Sequence, residues 1–142
     1  MKKEEIYEFI RSHDLAVVAT INPDGKPQAA VVEFGEFPDL TITIDTLKTS
    51  RKYKNLQGNT SVAVVIGWEE NKTVQMDGMA EELQGDKLAQ AKENYFAKNP
   101  RAKKWADKPE IAYFAIKPYW IRYSDLNQHP WVVEEFDLTG NT

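Results

Sequence analysis

The sequence predicts a single α+β domain built on a closed antiparallel β-barrel of six or seven strands with short flanking helices. Three observations point there. The 142 residues are one domain's worth. Hydrophobic residues make up 42% of them, enough for a packed core and too many for a disordered chain. The apolar runs are short, rich in β-branched residues and joined mostly by tight turns, which favours hairpins over helix-linked parallel strands. There is no internal repeat or linker, so residues 1–142 read as one domain with a peripheral tail over 127–142.

Ile6, Phe9 and Ile10 recur at i, i+3, i+4 among charged residues, which predicts an amphipathic helix over 3–12. LAVVATI (15–21) and PQAAVVEF (27–34) flank Pro23-Asp24-Gly25, where proline presets φ and glycine accepts a positive one, so the three segments form a hairpin. LTITID (40–45) alternates and supplies a third strand, entered through Pro38-Asp39. Thr49 or Ser50 caps a helix over 51–57 that stops at Gly58-Asn59. SVAVVIGW (61–68) is nearly continuous in apolar residues, as for a strand covered on both faces, and 73–83 is a long strand with a bulge or bend at Gly78. Residues 86–99 carry Leu88, Ala91, Tyr95 and Phe96 on one helical face, and Pro100 ends the helix. One or two closing strands, interrupted by Pro118, occupy 111–126. The tail carries an apolar patch (Trp131, Val132, Val133, Phe136) and then frays.

Composition removes several functions. With 18 basic and 22 acidic residues the net charge is −4, which argues against general capture of nucleic acid or an anionic membrane surface. No apolar run approaches the ~20 residues of a bilayer span. Without cysteine there is no disulfide, thiolate metal site or cysteine nucleophile, and two histidines cannot build a histidine-rich metal site. Glu4, Glu5 and Glu8 fall where a secretion signal needs an apolar stretch, so a cytoplasmic location is expected. No Ser-His-Asp set, paired-carboxylate site or P-loop can be assembled, and no metal site is expected.

The net charge conceals one asymmetry. From Thr46 to Trp68 there is no acidic residue, while Lys48, Arg51, Lys52 and Lys54 bring four positive charges. The densest part, KTSRKYK, lies where a strand gives way to a helix. Free amides at a helix N-terminus, the helix dipole, hydroxyls and two cations together suit one compact dianion such as a phosphate monoester. The same spacing also describes an ordinary capped helix with solvated lysines. A second basic run, 98–108, is either a guide for an anionic substrate or a solvated loop, and Trp105, Trp120 and Trp131 are either stacking platforms or packing residues.

Taken in order, LAVVATINPDGKPQAAVV, a strand ending IDT, TSRKYKNLQGN, a strand ending GW, and VQMDGMAEEL resemble the FMN-binding split barrel of the pyridoxamine 5′-phosphate oxidase superfamily. The resemblance spans roughly residues 4–126 and includes that superfamily's general stress protein branch. It implies a homodimer with FMN at the subunit interface. A barrel this small does not readily enclose the cofactor alone. Arg51 and Lys52, with Ser50 beside them, would hold the FMN phosphate, and Thr46 would end the preceding strand next to them. Gln28, Ala29, Ala30 and Val31 would lie along the isoalloxazine, with Gln75 and Trp68 reaching it from the partner subunit. The family's late aromatic position falls around residues 123–124. Two departures matter. Glu33 stands where true pyridoxamine phosphate oxidases use a lysine for the substrate phosphate, and their terminal Arg-x-His element has no counterpart, since Pro130 and Trp131 follow His129. The resemblance therefore implies an oxidoreductase for another small molecule, with NAD(P)H a candidate donor. The alternatives are a non-catalytic, stress-related flavin-binding protein or a relative holding deazaflavin or haem in the same groove.

Overall fold

The computed structural model describes residues 1–139; the final three residues of the tail lie outside them. Helix α1 (Lys3–Arg11) buries Ile6 and Ile10 completely, which is worth about 1.5–3 kcal/mol each. Strands β1 (Leu15–Ile21) and β2 (Pro27–Glu33) form the expected hairpin. Its turn is held by Asn22, whose side-chain oxygen accepts from the amides of Asp24 and Lys26 at 3.0 and 2.9 Å, with Gly25 at φ +78°.

The next strand differs from the expectation over 40–45. Asp39 Oδ1 accepts from the Thr41 amide at 3.0 Å and pulls Leu40 to φ +74°, so the chain is still turning there. Strand β4 begins two residues later (Ile42–Leu47), and its turn creates a two-residue strand β3 (Gly35–Glu36) that pairs with it. Helix α2 (Arg51–Gly58) follows. Strand β5 (Ser61–Ile66) ends before Gly67, which turns at φ +84°; a Cβ there would stand 2.7 Å from the Phe9 ring.

Strand β6 (Lys72–Glu82) pairs with β7 (Ile111–Asp125), a single strand that runs straight through Pro118. The irregularity expected at Gly78 is present, but the inserted residue belongs to β7: Asp77 faces Trp120 and Gly78 faces Pro118, so Tyr119 is the extra one. The bulge absorbs the proline, which has no amide for the ladder. The tail that reads as a fraying patch instead forms β8 (Val132–Asp137), paired with Trp120–Asp125 of β7.

The sheet order is β2-β1-β5-β6-β7-β4-β3, with β8 branching from β7. Strand β7 thus pairs with β4 along one half and β8 along the other, and this divergence splits the sheet. The ends of the path, β2 and β3, meet covalently through the buried Phe34 rather than through a strand ladder among the described residues. The barrel is therefore split, as the family resemblance implies, and not fully hydrogen-bonded round. Apolar side chains of β1, β4, β5, β6 and β7 fill it, plugged by α1 and by Leu56 of α2.

Helix α3 (Gly85–Lys98) covers the outside of β4 and β7 and organises a second, smaller core of Leu83, Ala91, Tyr95, Ala102 and Tyr113. Pro100 ends α3 but also starts a 3₁₀ helix (Pro100–Trp105) that buries Ala102 and leaves its basic side chains outside. Among the described residues no helix is long and apolar enough to cross a membrane.

Candidate functional site

The basic segment lies between β4 and the β1–β2 hairpin. Strand β4 delivers Thr46 and α2 begins five residues on. Ser50 caps the helix, its Oγ accepting from the Tyr53 amide at 3.1 Å. Thr46 Oγ1 and Ser50 Oγ are hydrogen-bonded at 2.8 Å, and Lys52 Nζ donates to Thr46 Oγ1 at 3.5 Å. The first turn of α2 has no acidic residue, so nothing in it neutralises the positive end of the helix. Arg51 is exposed. Lys52 is half-buried; burial pushes its ammonium below the usual range and Asp45 pulls the other way. Among the described residues Lys52 forms no ion pair with a carboxylate. A cation that is partly desolvated without a partner favours an incoming anion.

The opposite wall comes from β2. A cavity of about 160 Å³ lies between Gln28 and Ala30 on that strand and Ser50, Arg51 and Lys52 on α2. Asn55, buried on α2, donates to Thr20 Oγ1 and to Gln28 Oε1, both at 2.9 Å, and so ties the hairpin to the helix. Sequence reasoning missed Asn55. Its signal was available: it is polar, four residues after Arg51 and directly before the core residue Leu56.

Lys52 also lines a larger cavity of about 450 Å³, which continues along Val31–Glu33. Its floor is Asp45 and Tyr95, the tyrosine hydroxyl donating to Asp45 Oδ1 at 3.0 Å. Burial raises the Asp45 carboxyl above the ordinary carboxylate range and pushes the Tyr95 hydroxyl well above the ordinary phenol. The far wall is the 3₁₀ helix, with Arg101, Lys104 and Trp105. The two cavities meet at Lys52 and make one groove, with Arg51 and Lys52 at one end and Arg101, Lys104 and Trp105 at the other. Of the two sequence readings of 98–108, part of that run does line a cavity. Glu33 lines it too.

The structure therefore brings together Thr46, Ser50, Arg51, Lys52, Gln28 and Ala30. Ala29 lines the smaller cavity and Val31 the larger, although in the ladder they alternate with Gln28 and Ala30 and Val31 is 61% exposed. Gln75 does not reach the groove within one chain: it lies exposed on the outer face of β6, between Val65 and Arg122. Trp68 lies beyond the end of β5, beside a separate cavity of about 240 Å³ formed with the end of α1. Tyr123 is buried in the main core, its ring 5.4 Å from that of Phe9, so the late aromatic position around 123–124 places no ring in the groove. Trp120 is half-buried and Trp131 is 61% exposed.

A family model for pyridoxamine 5′-phosphate oxidase matches residues 3–125. A comparison with curated proteins returns no match. Among solved structures, the chain is similar to a heme binding protein from Mycobacterium smegmatis, at TM-score 0.83 and 19% identity, covering 95% of this chain and 57% of that one. It therefore spans little more than half the length of that neighbour. The heme storage protein HutZ from Vibrio cholerae superposes at TM-score 0.72 and 18% identity, over 83% of this chain and 91% of the other. General Stress Protein 26 from Bacillus anthracis does so at TM-score 0.71 and 24% identity, over 85% and 92%. At these identities the structural likeness establishes the split-barrel fold and nothing finer.

Proposed function

The chain belongs to the pyridoxamine 5′-phosphate oxidase family, and from that premise we propose that it binds FMN as a homodimer and acts as a flavin-dependent oxidoreductase on a small molecule. The observation that carries this reading is the acid-free, Ser50-capped start of α2, where half-buried Lys52 makes no ion pair among the described residues, Asp45 acting on it only at longer range. A phosphate monoester fits that donor set: backbone amides, the Ser50 hydroxyl, Arg51 and Lys52. The groove then runs on past small side chains that let a flat ring approach β2.

Bound FMN would supply a hydride acceptor. The protein's part is to hold and shape. Ser50, Arg51 and Lys52 anchor the phosphate, with Thr46 fixing the Ser50 hydroxyl. Asn55 keeps Gln28 and the β2 backbone in register against α2. Trp105 and the Asp45–Tyr95 pair bound the open end, where Glu33 stands in place of the family's phosphate-binding lysine and Arg101 and Lys104 line the same cavity. No side chain is assigned as general acid or base.

The homodimer reading rests on the outer sheet face. Helix α3 covers β4 and β7, whereas no element among the described residues covers Val17, Ala19, Ala29, Val31, Ala63 and Val65 on β1, β2 and β5. Gln75 shares that face, from which a partner's groove is within its reach only across an interface.

Purified protein should take up FMN and show the flavin visible spectrum, and anaerobic NAD(P)H should bleach it if a nicotinamide is the donor. Arg51→Ala with Lys52→Ala should weaken FMN at least about tenfold, about 1.4 kcal/mol. Unchanged affinity would mean that the phosphate sits elsewhere. Haem is the competing ligand, because two neighbours of this fold are described as heme proteins. The described residues lining the groove include no histidine, cysteine or methionine to ligate iron, and Tyr95, the side chain there of a haem-ligating kind, has its hydroxyl engaged with Asp45. Tight haem uptake with no FMN binding would overturn the flavin reading.

A further inference from the structure

A second cavity, of about 470 Å³, lies on the opposite side of β4 from the barrel core, under the first half of α3. It exists because small residues meet there. Thr43 faces Ala115 across the β4–β7 ladder, and Ala91 of α3 lies above them, while the other half of α3 is filled by the edge-to-face rings of Tyr95, Phe96 and Tyr113. The volume falls within the range of ordinary small-molecule sites.

Thr43 lies at the floor, completely buried, and among the described residues its hydroxyl has no hydrogen-bond partner. The walls are apolar, with Leu83 beside Ala91 and Ala115. The rim is charged in both senses: Lys87 and Lys117 stand with Glu81, and none of the three is in an ion pair among the described residues. Asp39, also at the rim, is occupied in its turn by the Thr41 amide at 3.0 Å.

We infer that this cavity is a binding site, separate from the flavin groove, for a small zwitterion with an apolar side chain, the chemistry of an apolar α-amino acid. The lysines receive the carboxylate, Glu81 the ammonium, and Leu83, Ala91 and Ala115 the side chain. An apolar acid would leave Glu81 repelled and an apolar amine would leave both lysines repelled. With Asp39 and Glu81 set against Lys87 and Lys117 the rim carries both signs equally, and a zwitterion leaves neither sign facing only a like charge.

The test is two-dimensional amide NMR of the full chain, with FMN present, titrated with L-phenylalanine, 3-phenylpropanoate and phenethylamine. The expected result is saturable shifts at Thr43, Leu83, Ala91 and Ala115 with L-phenylalanine, and binding at least fivefold weaker for each single-charge probe. Ala115→Leu should fill the cavity and abolish the shifts, and Lys117→Glu should weaken binding without altering the fold, as its unperturbed spectrum elsewhere would show. The proposal is overturned by shifts confined to Ser50–Asn55, by binding that survives both variants, by equal affinity for 3-phenylpropanoate, or by no saturable shift at all.

Discussion

Asp45 concentrates the electrostatics of the groove in one side chain. Burial raises its carboxyl, while the Tyr95 hydroxyl and Lys52 oppose the rise without cancelling it. A carboxyl raised in the folded state contributes stability that is complete below its unfolded value, about 3.9, and is lost as pH climbs through the folded value. At neutral pH the charged form is therefore a cost. Asp45→Asn should raise the melting temperature at pH 7 more than at pH 4, flattening the stability profile between them, and should tighten FMN by removing a negative charge near Lys52. A melt that drops equally at both pH values would show that the carboxylate is needed structurally. Thr43→Val should stabilise by about 1 kcal/mol, roughly 3 °C in melting temperature, since the buried hydroxyl has no partner. At this scale the sequence was partly legible. Thr46, Ser50, Arg51 and Lys52 are local, and their grouping followed from an uninterrupted basic stretch around a helix start. Asp45 and Tyr95 are fifty positions apart, and only the packing of α3 on β4 brings them to 3.0 Å.

Among elements, the β6–β7 pair carries the architecture, because β7 serves both halves of the split. Its bulge depends on Gly78: a Cβ there would stand 2.8 Å from the Lys117 carbonyl oxygen and 3.1 Å from Ile116 Cγ2. Gly78→Ala should cost about 1–3 kcal/mol in urea unfolding. The end of α3 is fastened differently. Lys98 meets Glu36 at 3.1 Å with only 14% and 6% of the side chains exposed, and Lys98 also lies 3.7 Å over the Phe34 ring. Removing one partner strands a buried charge, so Glu36→Ala should lose about 3–5 kcal/mol, while Glu36→Leu with Lys98→Met should recover most of it. If the single and double variants unfold alike, the ion pair is not what fastens the helix. Periodicity found α1, α2, α3 and the long strands, because each carries its own apolar face. It missed β8, whose pairing depends on an edge of β7 left free by the departure of β4. It placed β4 two residues early, because the Asp39 turn holds Leu40 out of the ladder.

For the whole molecule, the question is what covers the outer face of β1, β2 and β5. The ladder aligns Val31, Val17 and Val65 in one row and Ala29, Ala19 and Ala63 in the next, with Gln75 continuing the first row on β6. Val31 is 61% exposed, although the inner side of β2 lines the groove. The inner side of β2 is held by its ladder with β1, by buried Val32 and by the Asn55–Gln28 hydrogen bond, whereas its outer side packs against nothing among the described residues. A second copy laid on these rows would bury the small residues closely and support β2 from behind. Ala63→Arg places a cation in the middle of those rows, far from the inner wall of the groove. Light scattering should show a dimer for the unmodified chain and a monomer for this variant, and the monomer should bind FMN at least about tenfold more weakly, about 1.4 kcal/mol, although Arg51 and Lys52 are intact. A monomeric variant with full FMN affinity would mean that one chain completes the site, and that Gln75 and Trp68 have no part in it.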